Sequence, residues 1–184
     1  MDNAHKRKKQ PELVRRALID QAARLAVEEG LAAVTVQAVA DAAGVTKGGL
    51  MHHFPHKQAL IDAVFGEMMD TIDRDIDKRI AADPEPYGSF TRAYVEAVFG
   101  MAQGAGGPWA ALSISTLTDA GLRALWAKWF HGRLERHHAT DADLRLVVVR
   151  LAADGVWLAD LGGITLPDSN QLRGQLLEAT RPRE

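Results

Sequence analysis

Apolar residues recur along this chain at spacings of three and four, the signature of amphipathic helices, and nothing alternates with a period of two for long. The first pattern runs from about Pro11 to Glu29. It points Leu13, Ala17, Ala22, Leu25 and Ala26 inward, and Gly30 ends it. Two short patterns follow. Val36, Val39 and Ala40 mark one face of a helix that Thr35 can cap. Leu50 marks the inward side of another, capped by Thr46 and stopped by Pro55. From about His56 to Ala82 a long stripe reads Leu60, Ile61, Val64, Met68, Ile72, Ile76 and Ile80, with strongly charged flanks in its later part. Further helical patterns cover about 87–102, 109–117, 122–137, 141–161 and 169–180. Asp83-Pro-Glu-Pro, Gly104-Ala-Gly-Gly-Pro108 and Gly162-Gly163 separate several of them. The pattern predicts an all-α fold of about nine helices.

The segment 141–161 breaks the amphipathic rule. Leu144, Leu146, Val147, Val148, Val149, Leu151, Ala152, Ala153, Val156, Trp157, Leu158, Ala159 and Leu161 leave almost no polar side. A helix apolar all round must be covered all round. Its outer side is covered either by a second copy of the chain or, in a monomer, by the rest of one core. Gly155 would allow close helix approach, and the last helix adds Leu172, Leu176 and Ala179 on a narrow stripe.

The two short helices between Thr35 and Pro55 carry the most specific geometry. Gly44 supplies the left-handed backbone of a sharp turn between them, and Val45 can plug the angle. That is a helix-turn-helix, which can lay its second helix in a DNA major groove. The exposed side of this second helix would carry Thr46, Lys47, Gly48, Gly49, Met51 and His52, with His53 packed behind. An ordinary corner between two helices is the competing reading; the basic and small residues favour DNA. Charge agrees once it is divided. The chain has a net charge of −2, but residues 1–57 hold nine Lys and Arg against six acids, and the remainder thirteen against eighteen. Positive charge gathers where DNA contact is expected, with acidic surface elsewhere. The basic run Lys6 to Lys9, within residues 1–10, is either a solvated tail or an arm that reaches DNA.

At this point a resemblance can be named. The run Ala40-Asp-Ala-Ala-Gly-Val-Thr-Lys-Gly-Gly-Leu-Met-His-His-Phe-Pro-His-Lys57, preceded by Leu25 to Val36, resembles the DNA-binding domain of the tetracycline-repressor (TetR) family of bacterial transcriptional regulators. The resemblance covers residues 11–65, roughly a third of the chain. It implies a DNA-binding domain over residues 1–56. A ligand-binding and dimerisation domain would follow over 57–184, with helix 57–82 connecting the two. By the same resemblance Thr35, Thr46 and Lys57 would anchor phosphates of double-stranded DNA, and Lys47, Gly48, Gly49, Met51 and His52 would meet the major groove. Two positions depart from the family: Met51 stands where a tyrosine is usual, and Gly49 where threonine, serine or asparagine is usual. The family's last two helices commonly form a homodimer interface. That places Leu144, Val148, Leu151, Gly155, Leu158, Leu172 and Leu176 between two copies, presenting two recognition helices to a palindromic operator.

Beyond residue 57, Phe99, Met101, Trp109, Trp126, Trp129, Phe130 and Trp157 either fill a core or line a pocket for a small-molecule effector. Asp154 and Asp160 could supply polar groups to such a pocket, and an acid there would favour a cationic aromatic ligand. Asp154 could instead pair with Arg150 one turn before it. His131, His137, His138 and Asp141 lie close in sequence, but their spacing does not bring them to one helix face, so no metal site is expected. No phosphate loop, nucleophile elbow, zinc motif or dinucleotide fingerprint occurs, so neither enzyme chemistry nor a cofactor is expected. A small helical-bundle enzyme or binding protein with no DNA role stays as the alternative. The chain has no cysteine, no apolar run of about 18 residues, and no apolar signal core behind its basic start. A cytoplasmic, membrane-free, ligand-responsive repressor is the expectation.

Overall fold

The computed structural model describes residues 3–102, 116 and 118–182, with side chains from Pro11 onward. Among the described residues every regular element is helical: α1 (Asn3–Glu28), α2 (Val36–Ala42), α3 (Lys47–His53), α4 (Lys57–Ala82), α5 (Ser89–Ala102), α6 (Ala120–Arg136), α7 (His138–Asp141), α8 (Leu144–Leu161) and α9 (Ser169–Glu178). The chain divides into two compact units. The boundary passes between Met68 and Met69 inside α4, and again between Leu122 and Arg123. Of the expected helix 109–117 only residue 116 is described, and it is helical.

In the first unit α1, α2 and α3 pack on one another. Leu18, Ile19, Ala22, Leu25 and Ala26 of α1 are buried, with Val34, Val39, Ala40, Leu50 and Phe54 from the helices that follow. Leu13 corrects the sequence reading: it is 66% exposed. At 100° per residue Leu13 lies opposite Ala22, and Leu18 and Ile19 occupy the inward face instead. α1 also starts eight residues before the expected Pro11, which falls inside the helix. The preceding alanine, lysines, arginine and glutamine are good helix formers. Pro11 deprives the Arg7 carbonyl of its usual donor, and its ring crowds that same carbonyl.

The second unit is built around α5, which packs most extensively on α8, with α9 and the short α7 also against it. α5 is sealed by charge as well as by its apolar side. Asp141, buried, accepts from the Thr91 backbone N–H at 2.8 Å and from the Thr91 hydroxyl at 2.6 Å, capping the first turn from fifty residues away. Arg150, also buried, donates to the same hydroxyl at 2.6 Å. Burial pulls its guanidinium pKa down, and Asp141 opposes that pull. Arg92 donates to Asp83 Oδ2 at 2.6 Å, to the Tyr87 carbonyl at 2.8 Å and to the Thr180 carbonyl at 3.1 Å. It thereby closes the Pro-rich turn against the end of the chain's last helix.

α8 begins at Leu144, capped by Asp143, because Asp141 is drawn into the core and its short turn becomes α7. One side of α8 is buried through Leu146, Val149, Ala153, Val156 and Ala159. The other side is not covered by the described residues: Leu144, Val148, Leu151 and Leu158 are 75%, 59%, 64% and 54% exposed. Among the described residues no helix is long and apolar enough to cross a membrane.

Candidate nucleic-acid interface

The helix-turn-helix follows directly from its caps and its turn. Thr35, in extended backbone, accepts the Ala38 N–H at 3.1 Å and starts α2. Gly44 adopts φ +67°, the left-handed region where a Cβ clashes, and turns the chain. Val45 N–H then donates to the Ala40 carbonyl at 2.9 Å, which fixes the exit from the turn. Thr46 accepts the Gly49 N–H at 3.1 Å and starts α3. Phe54, before Pro55, leaves helical geometry at φ −134°, ψ 101° and is buried beneath α3. Arg15 lies over its ring at 5.1 Å. Leu50 is completely buried, which fixes the rotation of α3.

With Leu50 inward, Thr46, Lys47, Gly48, Met51 and His52 are all exposed. His53 is half-buried and meets the His52 ring edge-on at 5.5 Å. Gly49 is half-buried and beside the cap: a Cβ there would stand 3.3 Å from Thr46 Oγ1. Thr35 and Thr46 spend an oxygen lone pair on their caps and keep the hydroxyl proton to donate outward. Lys57 Nζ donates to the Leu31 carbonyl at 3.3 Å, which pins its stem beside the loop before α2 and leaves two ammonium hydrogens. His56 Nδ1 accepts the Ala59 N–H at 3.1 Å and so caps α4. The basic run at residues 6–9 lies outside the described side chains.

The second unit holds an aromatic cluster. Trp126 and Trp129 have ring centroids 5.0 Å apart, Phe130 stacks on Trp126 at 6.1 Å, and Tyr94 meets Phe130 edge-on at 5.5 Å. Phe90 continues the cluster to His137, stacked at 5.2 Å. His137 Nε2 is buried and has no hydrogen-bond partner among the described residues, and burial lowers the ring's pKa. Asp154 joins through the Tyr94 hydroxyl, which donates to its Oδ1. Burial raises the Asp154 pKa, with the Tyr94 hydrogen bond and Arg150 opposing. Asp154 therefore pairs with Tyr94, while Arg150 turns to Thr91 and Asp141. Of the other pocket candidates, Phe99 is buried, Met101, Trp157 and Asp160 are half-buried, and Trp109 lies outside the described residues.

One constellation escaped the sequence reading. Arg133 is 1% exposed on α6. Its Nε donates to Asp73 Oδ1 at 2.7 Å, its Nη1 to Asp77, and its Nη2 to the Asp73 carbonyl at 3.0 Å. Trp129 Nε1 donates to the same Asp73 oxygen at 2.6 Å. Burial works against the guanidinium charge, and the hydrogen bonds to Asp77 and Asp73 outweigh it. The available signal was Trp129 and Arg133 one turn apart facing Asp73 and Asp77 one turn apart. Among the described residues no three histidine or acidic side chains are grouped to hold a metal ion.

The site's geometry agrees with what the chain resembles. Residues 18–64 match the family model for bacterial regulatory proteins of the tetR family, and residues 88–181 match the tetracyclin repressor-like C-terminal domain. The HTH-type transcriptional repressor KstR2 of Rhodococcus jostii is 43% identical over 58 residues, 32% of this chain and 28% of that protein. KstR2 of Mycolicibacterium smegmatis is 38% identical over 61 residues, 33% and 30% of the two chains. The match therefore spans less than a third of either relative. In fold, the multidrug binding protein EbrR complexed with malachite green superimposes with a TM-score of 0.72 over 91% of this chain and 98% of its own, at 23% identity. The putative transcriptional regulator SCO7518 of Streptomyces coelicolor gives 0.71 over 91% and 95%, at 21% identity. The two family models together cover the helix-turn-helix and the helices from α5 through α9, and the chain belongs to the TetR family of bacterial regulatory proteins.

Proposed function

We propose that the protein is a homodimeric transcriptional repressor that holds a palindromic operator with α3 of each copy and lets go when a small molecule binds its second unit. The observation that carries this reading is the division of labour on α3. Leu50 is fully buried, while Lys47, Gly48, Met51 and His52 are exposed on a face the chain's own packing does not use. Thr35, Thr46 and Lys57 flank that face with donors suited to phosphate, and Gly49 lies at its edge beside the cap. The operator is met by two such helices related by the dimer's two-fold axis. The uncovered stripe Leu144, Val148, Leu151, Gly155 and Leu158, with Leu172 and Leu176 of α9, supports pairing through α8 and α9. The printed description of KstR2 as a repressor supports the sign of regulation.

The effector reading rests on the aromatic cluster of Trp126, Trp129, Phe130 and Tyr94, with Asp154 behind it. Phe99, Met101, Trp109 and Trp157 are further wall candidates. A flat aromatic cation would stack on these rings and restore a charge partner to Asp154. That EbrR, similar in fold, was solved with malachite green and with ethidium supports trying this chemistry first. Such a ligand acts only by binding the DNA-incompetent arrangement more tightly. α4 is the natural carrier, since this one helix belongs to both units.

A fluorescence-anisotropy titration on the duplex upstream of the protein's own gene, repeated across salt, tests the reading. Tight binding whose affinity falls steeply with salt is expected, and release by malachite green or another compound that raises the melting temperature completes it. Absent or salt-insensitive binding would move the protein to the alternative, a helical-bundle binding protein without a DNA role.

A further inference from the structure

We infer that Arg15 of α1 is a backbone contact of the DNA interface, its guanidinium held over the Phe54 ring so that its free edges meet a phosphate beside the end of α3. This rests on the DNA-binding reading above. Among the described residues three arginines lie over aromatic rings. Two of them are buried and already matched to acids. Arg133, over Trp129, is bonded to Asp73 and Asp77. Arg150, over Phe90, stands 3.9 Å from Asp141 and donates to Thr91. Arg15 differs on both counts. It is exposed, its guanidinium carbon lies 5.1 Å from the Phe54 centroid, and no acid among the described residues is bonded to it.

Its neighbours on α1 sharpen the contrast. Arg16 is spent on Asp20 at 3.1 Å and Glu67 at 2.6 Å, and Arg24 on Gln21 at 3.0 Å and Glu28 at 2.7 Å. An exposed arginine with no partner ordinarily ranges over many rotamers. The ring removes part of that freedom before a partner arrives. Stacking occupies the flat face of the guanidinium and leaves its N–H edges free, and those edges match two oxygens of one phosphate. Position selects the partner. Phe54 is the residue that ends α3, and the chain runs from it through Pro55 and His56 to Lys57. Arg15 therefore brings a charge from a separate helix to the margin where Lys57 is placed against phosphate. Such a contact reads no base; it holds the first unit in register on the duplex.

The test uses the full-length protein and fluorescence anisotropy across a salt series, on the duplex upstream of its own gene and on a mixed-sequence duplex, with the melting temperature of each variant. Arg15→Ala is expected to flatten the slope of log affinity against log salt by about one on both duplexes, to weaken binding roughly tenfold at the lowest salt, and to move the melting temperature by under about 4 °C. Arg15→Gln keeps most of the stem over the ring and should flatten the slope equally. Arg15→Lys keeps the charge without the fork, so it should hold the slope and still bind more weakly. Arg16→Ala is the control: its charge is already met by Asp20 and Glu67, and its slope should match wild type. A wild-type slope in Arg15→Ala and Arg15→Gln would overturn the inference. So would an equal flattening in Arg16→Ala, which would make the effect one of net charge. A large drop in melting temperature with the slope kept would leave Arg15 a packing residue and overturn it too. If wild-type binding is absent or insensitive to salt on both duplexes, the DNA-binding reading fails first and takes this contact with it.

Discussion

Replacing Leu151 by glutamate tests the pairing surface most directly. In the single chain Leu151 is 64% exposed, so a glutamate there costs the fold of one copy little. In the proposed dimer the same side chain is covered. Burying a whole leucine is worth about 1.5–3 kcal/mol, so covering this exposed portion contributes about 1–2 kcal/mol per copy. The two-fold axis counts it twice, giving about 2–4 kcal/mol for the dimer. A carboxylate facing its own symmetry mate in an apolar seam adds desolvation and repulsion, so this range is a floor. In dissociation constant it corresponds to roughly 30-fold to 1,000-fold. Sedimentation velocity over a dilution series should show Leu151→Glu as monomer where the wild type is dimer, with the same helical circular dichroism. Operator binding should fall with the dimer, because one recognition helix reads only half a palindrome. A variant that sediments as the wild-type dimer would refute the argument and place the interface away from α8. Leu176→Glu, half-buried on α9, should act in the same direction and less cleanly.

Three other outcomes follow from the packing. Lys57→Ala should weaken binding to all duplexes alike and lower the salt slope by about one; an unchanged slope removes Lys57 from the phosphate contacts. The Asp154 carboxyl is held above its ordinary 3.8 by burial, so the native state holds its proton more tightly than the unfolded chain does. This costs no stability below 3.8; the penalty grows as pH rises through the raised value and is complete above it. Asp154→Asn should therefore melt higher than wild type at neutral pH and equal to it in acid, and equal melting at both would remove the penalty. Arg133→Met should lower unfolding stability by about 1–2 kcal/mol in denaturant titration and alter Trp129 fluorescence, since Asp73 loses its charged hydrogen-bond donor while water can reach both acids. Unchanged stability would mean that the Arg133 hydrogen bonds contribute nothing net to the fold.

What the sequence announced was local. Thr35, Gly44, Thr46 and Pro55 each act on their own turn of chain, and each does so in the structure as its type requires. The stripe of α4 was legible for the same reason, from Leu60 to Ile76. Leu13 was misread because spacing alone does not say which of two apolar faces the neighbouring helices will cover. The buried charges were illegible for a deeper reason. Arg92, Arg133, Arg150 and Asp141 look like solvated residues in a hydrophobicity pattern. Their partners lie far along the chain, as with Tyr94 and Asp154 sixty residues apart. Only the fold brings those neutralising groups together.

The Arg92 contact has a consequence for the order of assembly. The helix-turn-helix closes on caps and contacts within α1 to α3, so a growing chain can complete it early. The Arg92 contact itself cannot form until Thr180, eighty-eight residues later, has been made and delivered to that guanidinium. On the proposed reading the groove-facing helices can therefore form before α9 is complete. By the same reading each chain carries, for part of its synthesis, a half-reader with nothing yet to pair it, and a palindromic operator would keep that half-reader from acting alone.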